Sequence, residues 1–272
     1  MAEKEALELL WAAQEIARGA GKILAASRGE GFGVRTKGEA TNLVTEVDMA
    51  SERYITEKIS EEYPQHGIVA EEGGGSVRQG QAFVWYVDPL DGTTNYTHDY
   101  PFFCVSLALY HEGRPLLGVV FDPVRDEMFA SATGWGSFLN GRRIRASSVD
   151  TLEKALLVTG FSYDTRHHPE NNLNYFKHFL FRAQALRRDG SAALNLCYVA
   201  CGRFDGMWEM RLKPWDTAAG RLIVEEALGK VTTMEGAPFA LRSDSILASN
   251  GPLHGALLAG VKMAREEASP RT

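Results

Sequence analysis

The sequence predicts a mixed fold, α+β in its first half and α/β in its second. Between residues 103 and 143, β-rich runs are broken at His111-Glu112-Gly113 and at Asn140-Gly141, both hairpin signals, so this stretch reads as a largely antiparallel meander. Beyond residue 155, strand-like and helix-like runs alternate, the pattern of helices laid on a sheet. A third observation says where a site belongs. The apolar, β-rich run Phe83-Val84-Trp85-Tyr86-Val87 leads directly into Asp88, and α/β sheets gather their ligands at the carboxyl ends of strands.

In chain order, Leu9, Leu10, Ala13, Ile16, Ala17, Ala20, Ile23 and Leu24 recur at helical spacing and predict a long amphipathic opening helix. Glycines end it, and residues 29–38 read as a mobile loop carrying Lys37. A second helix is expected over 48–63, stopped by Pro64, which puts Asp48 at a helix start where it can serve as a cap. After the meander come a strand over 155–158, helices over 170–181 and 192–201, a strand over 204–209 and a helix over 216–228. No linker, internal repeat or low-complexity segment interrupts the 272 residues, a length that suits one large unit or two intimately packed halves.

Composition excludes several classes of function. Lys and Arg number 29 against 35 Asp and Glu, so the net charge of −6 offers no broad basic surface, and direct nucleic-acid binding is not expected. Met1-Ala2-Glu3-Lys4-Glu5 lacks a basic flank and an apolar core, and no stretch is long enough to cross a bilayer, so a cytoplasmic location is expected. Cys104, Cys197 and Cys201 are few, and the last two are spaced for a helix face rather than for zinc, so all three read as reduced core thiols. The histidines have neither zinc-binding nor triad spacing. Ser106, Ser147 and Ser191 lack the Gly-x-Ser-x-Gly elbow of serine hydrolases, and no nucleotide-binding P-loop is present.

The chemistry is concentrated in Asp88-Pro89-Leu90-Asp91-Gly92-Thr93-Thr94-Asn95. Pro89 fixes its own φ and holds Asp88 extended, so the chain leaves the strand stiffly and Asp91 can return to the same side as Asp88. Two carboxylates then face one point, with the Leu90 carbonyl between them, a donor set suited to Mg²⁺ or Mn²⁺. Gly92-Thr93-Thr94 reads as a helix start whose N–H groups suit a phosphate, with Gly92 permitting close approach of the backbone. The plain alternative is a turn after a strand, with Asp capping a helix. It leaves most of the octapeptide unexplained.

The octapeptide matches, residue for residue, the core signature of the inositol monophosphatase family of metal-dependent, lithium-sensitive phosphatases, and further segments agree in order. Upstream, Lys37-Gly38-Glu39-Ala40-Thr41-Asn42-Leu43-Val44-Thr45-Glu46-Val47-Asp48 resembles the family's Lys…Asp/Asn-Leu-Val-Thr-x-x-Asp element. Ile68-Val69-Ala70-Glu71-Glu72 resembles its strand ending in Gly-Glu-Glu, with Ala70 in place of the usual Gly. Downstream, Arg188-Asp189-Gly190-Ser191-Ala192-Ala193 resembles the substrate loop. Trp208-Glu209 and Lys213-Pro214-Trp215-Asp216-Thr217-Ala218-Ala219-Gly220 resemble the second signature. The resemblance spans nearly the whole chain and is strongest to bacterial-type inositol-1-monophosphatases.

That resemblance implies a layered αβαβα sandwich, with metal motifs in residues 1–146, the substrate loop and last acid in 147–272, and the two packed as one compact unit. It implies two or three Mg²⁺ ions, with Mn²⁺ a substitute. Glu71, Asp88 and the Leu90 carbonyl would hold the first ion, and Asp88, Asp91 and Asp216 the second. Glu71, or Thr93 backed by Asp48, would orient the attacking water, and phosphate would lie on Gly92 and Thr93. Gly190, Ser191, Ala192, Glu209 and Asp216 would meet the organic moiety, and Lys37 is a further candidate, for the metal-bound water or the phosphate. The expected substrate is a phosphorylated polyol or sugar, myo-inositol 1-phosphate before fructose 1,6-bisphosphate, histidinol phosphate or a nucleotide phosphate. A homodimer is also implied, with apolar contact surface offered by residues 103–135. A rival role is regulatory, since some bacterial members resembling this chain associate with the transcription machinery.

Overall fold

The computed structural model describes residues 3–29, 33–36, 43–77 and 80–268. Helix α1 (Glu3–Ser27) buries the stripe Leu9, Leu10, Ala13, Ile16, Ala17, Ala20 and Leu24 that its spacing predicts. Strands β1 (Val34–Thr36) and β2 (Leu43–Thr45) pair antiparallel, so part of the expected mobile loop is a short ribbon, and Lys37 lies outside the described residues. Helix α2 (Glu46–Glu62) starts earlier than expected. Thr45 is its N-cap and forms a reciprocal capping box with Asp48, which is therefore the third helical residue and not the cap itself.

A seven-stranded sheet follows: β3 (Gly67–Ala70), β4 (Phe83–Asp91), then, after the short helix α3 (Thr93–Thr97), β5 (Cys104–His111), β6 (Arg114–Asp122), β7 (Glu127–Ala132), β8 (Gly136–Leu139) and β9 (Arg142–Ile144). Strands β3 and β4 are parallel and the rest is the expected antiparallel meander. Among the large apolar side chains of residues 103–135 only Val124 is exposed, with Leu116 and Trp135 partly buried, so most of this region fills the chain's own core.

The second sheet contains β10 (Leu156–Thr159), β11 (Ala185–Arg187), β12 (Gly206–Met210), β13 (Lys230–Thr232) and β14 (Ser245–Ser249), in the spatial order β11-β10-β12-β14-β13. Its first three strands are parallel, and β14 runs antiparallel to both neighbours. Helices α4 (Leu173–Leu180) and α7 (His254–Ala268) cover its outer face, while α5 (Ala192–Ala200) and α6 (Pro214–Glu226) lie between the sheets. With α1 and α2 on the far side of the first sheet, the layers run α-β-α-β-α, as the resemblance implied. Strands β11, β13 and β14 and helix α7 have no counterpart in the sequence reading.

Helix boundaries moved for local reasons. Helix α4 cannot begin at 170, because its N-cap Asn172 holds a left-handed φ of 71°. Helix α6 begins at Pro214, whose fixed φ and missing N–H suit a first turn, and ends before Leu228 at φ 67°. Its seat on the first sheet depends on Gly118 in β6, where an added Cβ would stand 2.9 Å from both the Cα and the carbonyl oxygen of Ala219. Gly118→Val should therefore push α6 off the sheet and lower unfolding free energy by about 1–3 kcal/mol, read by urea titration.

Candidate active site

The carboxyl ends of β3 and β4 set the first acids. Pairing of the two parallel strands ends at Ala70 and Val87, and the Glu71 N–H then donates to the Val87 carbonyl at 3.3 Å, which places Glu71 beside Asp88. Pro89 donates nothing to the ladder, and the register between β4 and β5 slips between Asp88 and Asp91. The slip leaves the Pro89 carbonyl to accept from Ser51 Oγ at 2.9 Å, while the Leu90 N–H donates to Asp88 Oδ1 at 3.1 Å. Gly92 turns the chain at φ 102°, with the Phe102 carbonyl only 3.0 Å from where a Cβ would be.

Asp91 reaches across to the other half of the chain. Its Oδ2 accepts from Ser191 Oγ at 2.6 Å and from the Ala193 N–H at 2.7 Å, at the N-terminus of α5. Asn95 Nδ2 donates to the Asp189 carbonyl at 2.7 Å, fixing the turn that holds Gly190 at φ 86°. Asp216 lies in the first turn of α6, where its Oδ2 accepts from the Lys213 N–H at 2.7 Å. Glu209 projects from β12 and is buried.

These residues line one cavity of about 410 Å³: Glu71, Asp88, Leu90, Asp91, Gly92, Thr93, Gly190, Ser191, Ala192, Glu209 and Asp216 all contribute to its wall. Asp48 stands behind it. Thr93 Oγ1 lies 3.0 Å from Asp48 Oδ1 and 3.2 Å from the Leu90 carbonyl, and Asp48 Oδ2 accepts from the Thr45 N–H at 2.8 Å and from the Thr45 hydroxyl. Glu72 does not line the cavity.

Burial, followed by mutual repulsion, sets the electrostatics. Burial raises the Asp88 carboxyl well above its usual range, helped by the charges of Glu71, Asp91 and Asp216 and by a hydrogen bond shared with Glu71. Asp216 is raised likewise, by burial first and then by Asp91 and Glu71. Burial also lifts Asp91, but its bonds to Ser191 and Ala193 hold it to about 6. Glu209 is pushed to about 8 by burial and by Asp91. Such a cluster favours counter-charge, and its oxygens are hard donors that fit a divalent cation. Among the described residues, no group of three or more His, Cys, Asp or Glu is drawn together as the ligand set of one ion.

Three groups escaped the sequence reading. Glu52, on α2 and buried, accepts from the Glu72 N–H at 2.6 Å through Oε2 and from the Gly74 N–H at 2.7 Å through Oε1, and so anchors the loop that presents Glu71. Its place on the same helix as Asp48 was the available signal. Tyr163 lines the cavity from the loop after β10, and burial together with the charges of Glu71, Asp91, Asp216 and Asp88 keeps its phenol protonated. Asn195, on α5, lines the cavity with an amide that has no hydrogen-bond partner among the described residues.

The model of the inositol monophosphatase family matches residues 5–267. The chain belongs to the inositol monophosphatase family. It is 46% identical over 221 residues to an inositol-1-monophosphatase of Synechocystis sp., covering 81% of this chain and 77% of that one. It is 43% identical over 253 residues to the Nus factor SuhB of Pseudomonas aeruginosa, covering 90% of this chain and 93% of that one. The structure of inositol monophosphatase from Anabaena superposes with a TM-score of 0.86 at 43% identity, over 94% of this chain and 96% of that one. Membership places the chain among phosphatases of a generally metal-dependent family, and the layered α/β sandwich is the fold of its structural relatives. Among the described residues no helix is long and apolar enough to cross a membrane.

The Glu52 anchor can be tested apart from the acids it serves. Glu52→Gln keeps the shape but turns one acceptor into a donor facing an N–H, which should lower stability by about 1–2 kcal/mol. Displacing Glu71 should lower kcat about tenfold with little change in KM, measured as steady-state phosphate release.

Proposed function

We propose that the protein is a cytoplasmic, Mg²⁺-dependent phosphate monoester hydrolase that releases inorganic phosphate from myo-inositol 1-phosphate. The observation that carries this reading is that Glu71, Asp88, Asp91 and Asp216 line a single cavity, together with Glu209. Glu71, Asp88 and the Leu90 carbonyl would hold one ion, and Asp88, Asp91 and Asp216 a second. Two such ions supply charge neutralisation, water activation and leaving-group stabilisation for an in-line displacement.

The chain's own groups then have distinct tasks. Thr93 donates to Asp48, so its oxygen presents a lone pair to the attacking water and orients it. Burial raises Asp48, which strengthens it as an acceptor in that relay. Glu71 is the other group placed to orient that water. The N–H groups of Gly92 and Thr93 receive the phosphate, and the Gly190, Ser191 and Ala192 loop borders the organic moiety. Glu209, at about 8, is mostly the neutral acid at pH 7 and offers one donor and an acceptor to neighbouring hydroxyls. That suits a polyol better than an aromatic or alkyl ester.

A phosphate-release panel of inositol, fructose, histidinol and nucleotide phosphates tests this reading. Inositol 1-phosphate with Mg²⁺ should be turned over best, Asp91→Asn should lower kcat at least about hundredfold, and millimolar Li⁺ should inhibit. Absence of Mg²⁺-dependent release across the panel sinks the proposal.

A second reading, regulation through the transcription machinery, is favoured by the likeness to a protein named as a Nus factor. Affinity purification from native lysate, with mass spectrometry for RNA polymerase subunits, decides it. Equal recovery with wild type and Asp91→Asn supports a role separate from catalysis, and no recovery removes the reading.

A further inference from the structure

Glu209 is a deeply buried acid of the cavity. It is 8% exposed, and its Oε2 is buried without a hydrogen-bond partner among the described residues. The carboxylate lies directly against Gly160, the residue that follows β10. A Cβ on Gly160 would stand 1.9 Å from Oε1 and 2.5 Å from Oε2, closer than any real contact allows. Gly160 is not among the residues of positive φ, so its backbone does not call for glycine. What the position requires is space.

That space is fixed by a buried cross-link. Strands β10 and β12 run parallel with Thr159 beside Trp208, and the Thr159 hydroxyl donates to the Trp208 carbonyl at 2.5 Å. Asn172 spans the same two strand ends. Its Nδ2 donates to the Gly160 carbonyl at 2.6 Å and to Thr159 Oγ1 at 2.9 Å, and its Oδ1 accepts from Trp208 Nε1 at 2.7 Å. Asn172 is 2% exposed and left-handed at φ 71°, a conformation asparagine tolerates better than most residues. The amide therefore sets the separation between Gly160 and the residue after Trp208, which is Glu209.

We propose that Gly160, held in place by Asn172, is a specificity determinant: it leaves the room that lets the Glu209 carboxyl group face the hydroxyls of a phosphorylated polyol. Gly160 lines the cavity with Glu209 as the nearest neighbour of its would-be Cβ, and Asn172 lies outside that lining, so both act through Glu209 as positioning residues. A side chain at position 160 displaces that carboxylate and turns a polyol-selective phosphatase into an indifferent one. The inference rests on the reading of Glu209 as the polyol contact. A buried acceptor without a partner is unfavourable, and a substrate hydroxyl is the partner Oε2 lacks.

The test compares kcat and KM for myo-inositol 1-phosphate and for 4-nitrophenyl phosphate, which carries no hydroxyl, in wild type, Gly160→Ala, Asn172→Gly and Glu209→Gln. Gly160→Ala should raise KM for inositol 1-phosphate about tenfold, the loss of one hydrogen bond to a carboxyl group, and leave kcat/KM for the nitrophenyl ester within about twofold. Asn172→Gly keeps the left-handed backbone and deletes the amide, and should shift KM the same way by about threefold. Nitrophenyl turnover and the thermal midpoint report that each variant is folded. Equal losses on both substrates in Gly160→Ala, or an unchanged inositol phosphate KM, overturn the inference. If Glu209→Gln raises that KM and Gly160→Ala does not, this inference fails alone. If Glu209→Gln has no effect on it, the reading of Glu209 fails first.

Discussion

The bonds from Ser191 Oγ and the Ala193 N–H to Asp91 Oδ2 are the interaction on which the rest of the structure depends. They join the end of the first sheet's β4 to the start of α5, the helix that lies between the two sheets. Ser191 serves twice, since its oxygen also accepts from the Leu194 N–H at 3.3 Å and so caps α5. An acid on one side thus completes a helix on the other, and the helix N-terminus in turn favours that acid's charge. Several donors check the rise of Asp91, which settles near 6, while burial and neighbouring charges raise Asp88 and Asp216 well above the usual carboxylate range.

Holding such a cluster in a protein interior requires scaffolding behind every acid. Thr45 donates twice to Asp48, Glu52 receives the Glu72 and Gly74 N–H groups, and Lys213 donates its N–H to Asp216. Each brace uses a helix's first turns or a helix face, and the one long side chain among them, Glu52, is buried and held at both carboxylate oxygens. Buried like charges oppose folding, so the site is the part of the molecule least favoured by stability alone. The large apolar layers on either side supply what the site does not.

Much of this was legible in the sequence because the functional acids sit in short contiguous segments. Asp88, Leu90, Asp91, Gly92 and Thr93 need only local stiffness, supplied by Pro89 and Gly92, to share one wall. Glu71, Glu209 and Asp216 were identified through motif order, and the fold brings them to that same wall. What was not legible depends on contacts between segments far apart in the chain. Glu52 appears to the sequence as one more polar position on a helix, and its purpose emerges only when the loop after β3 comes to rest on it. Asn172 sits in a polar stretch that reads as the start of a helix, and its left-handed backbone follows from the Trp208 indole and the Gly160 carbonyl it must satisfy. Strands β13 and β14 were missed because β14 pairs antiparallel inside a half whose alternating pattern suggests parallel strands.

The span of those Asp91 bonds bears on how the chain comes to be active during its own synthesis. Residues 91 and 193 are 102 positions apart, and Asn95 meets Asp189 across 94. Such contacts form late, because loop closure must precede them. The acid cluster has no Asp216 until α6 arrives, and one face of the first sheet has no cover until α5 and α6 are made. A nascent or truncated chain that stops short of α6 therefore has no working centre. Turnover reports completion of the whole chain, not merely the presence of its first signature.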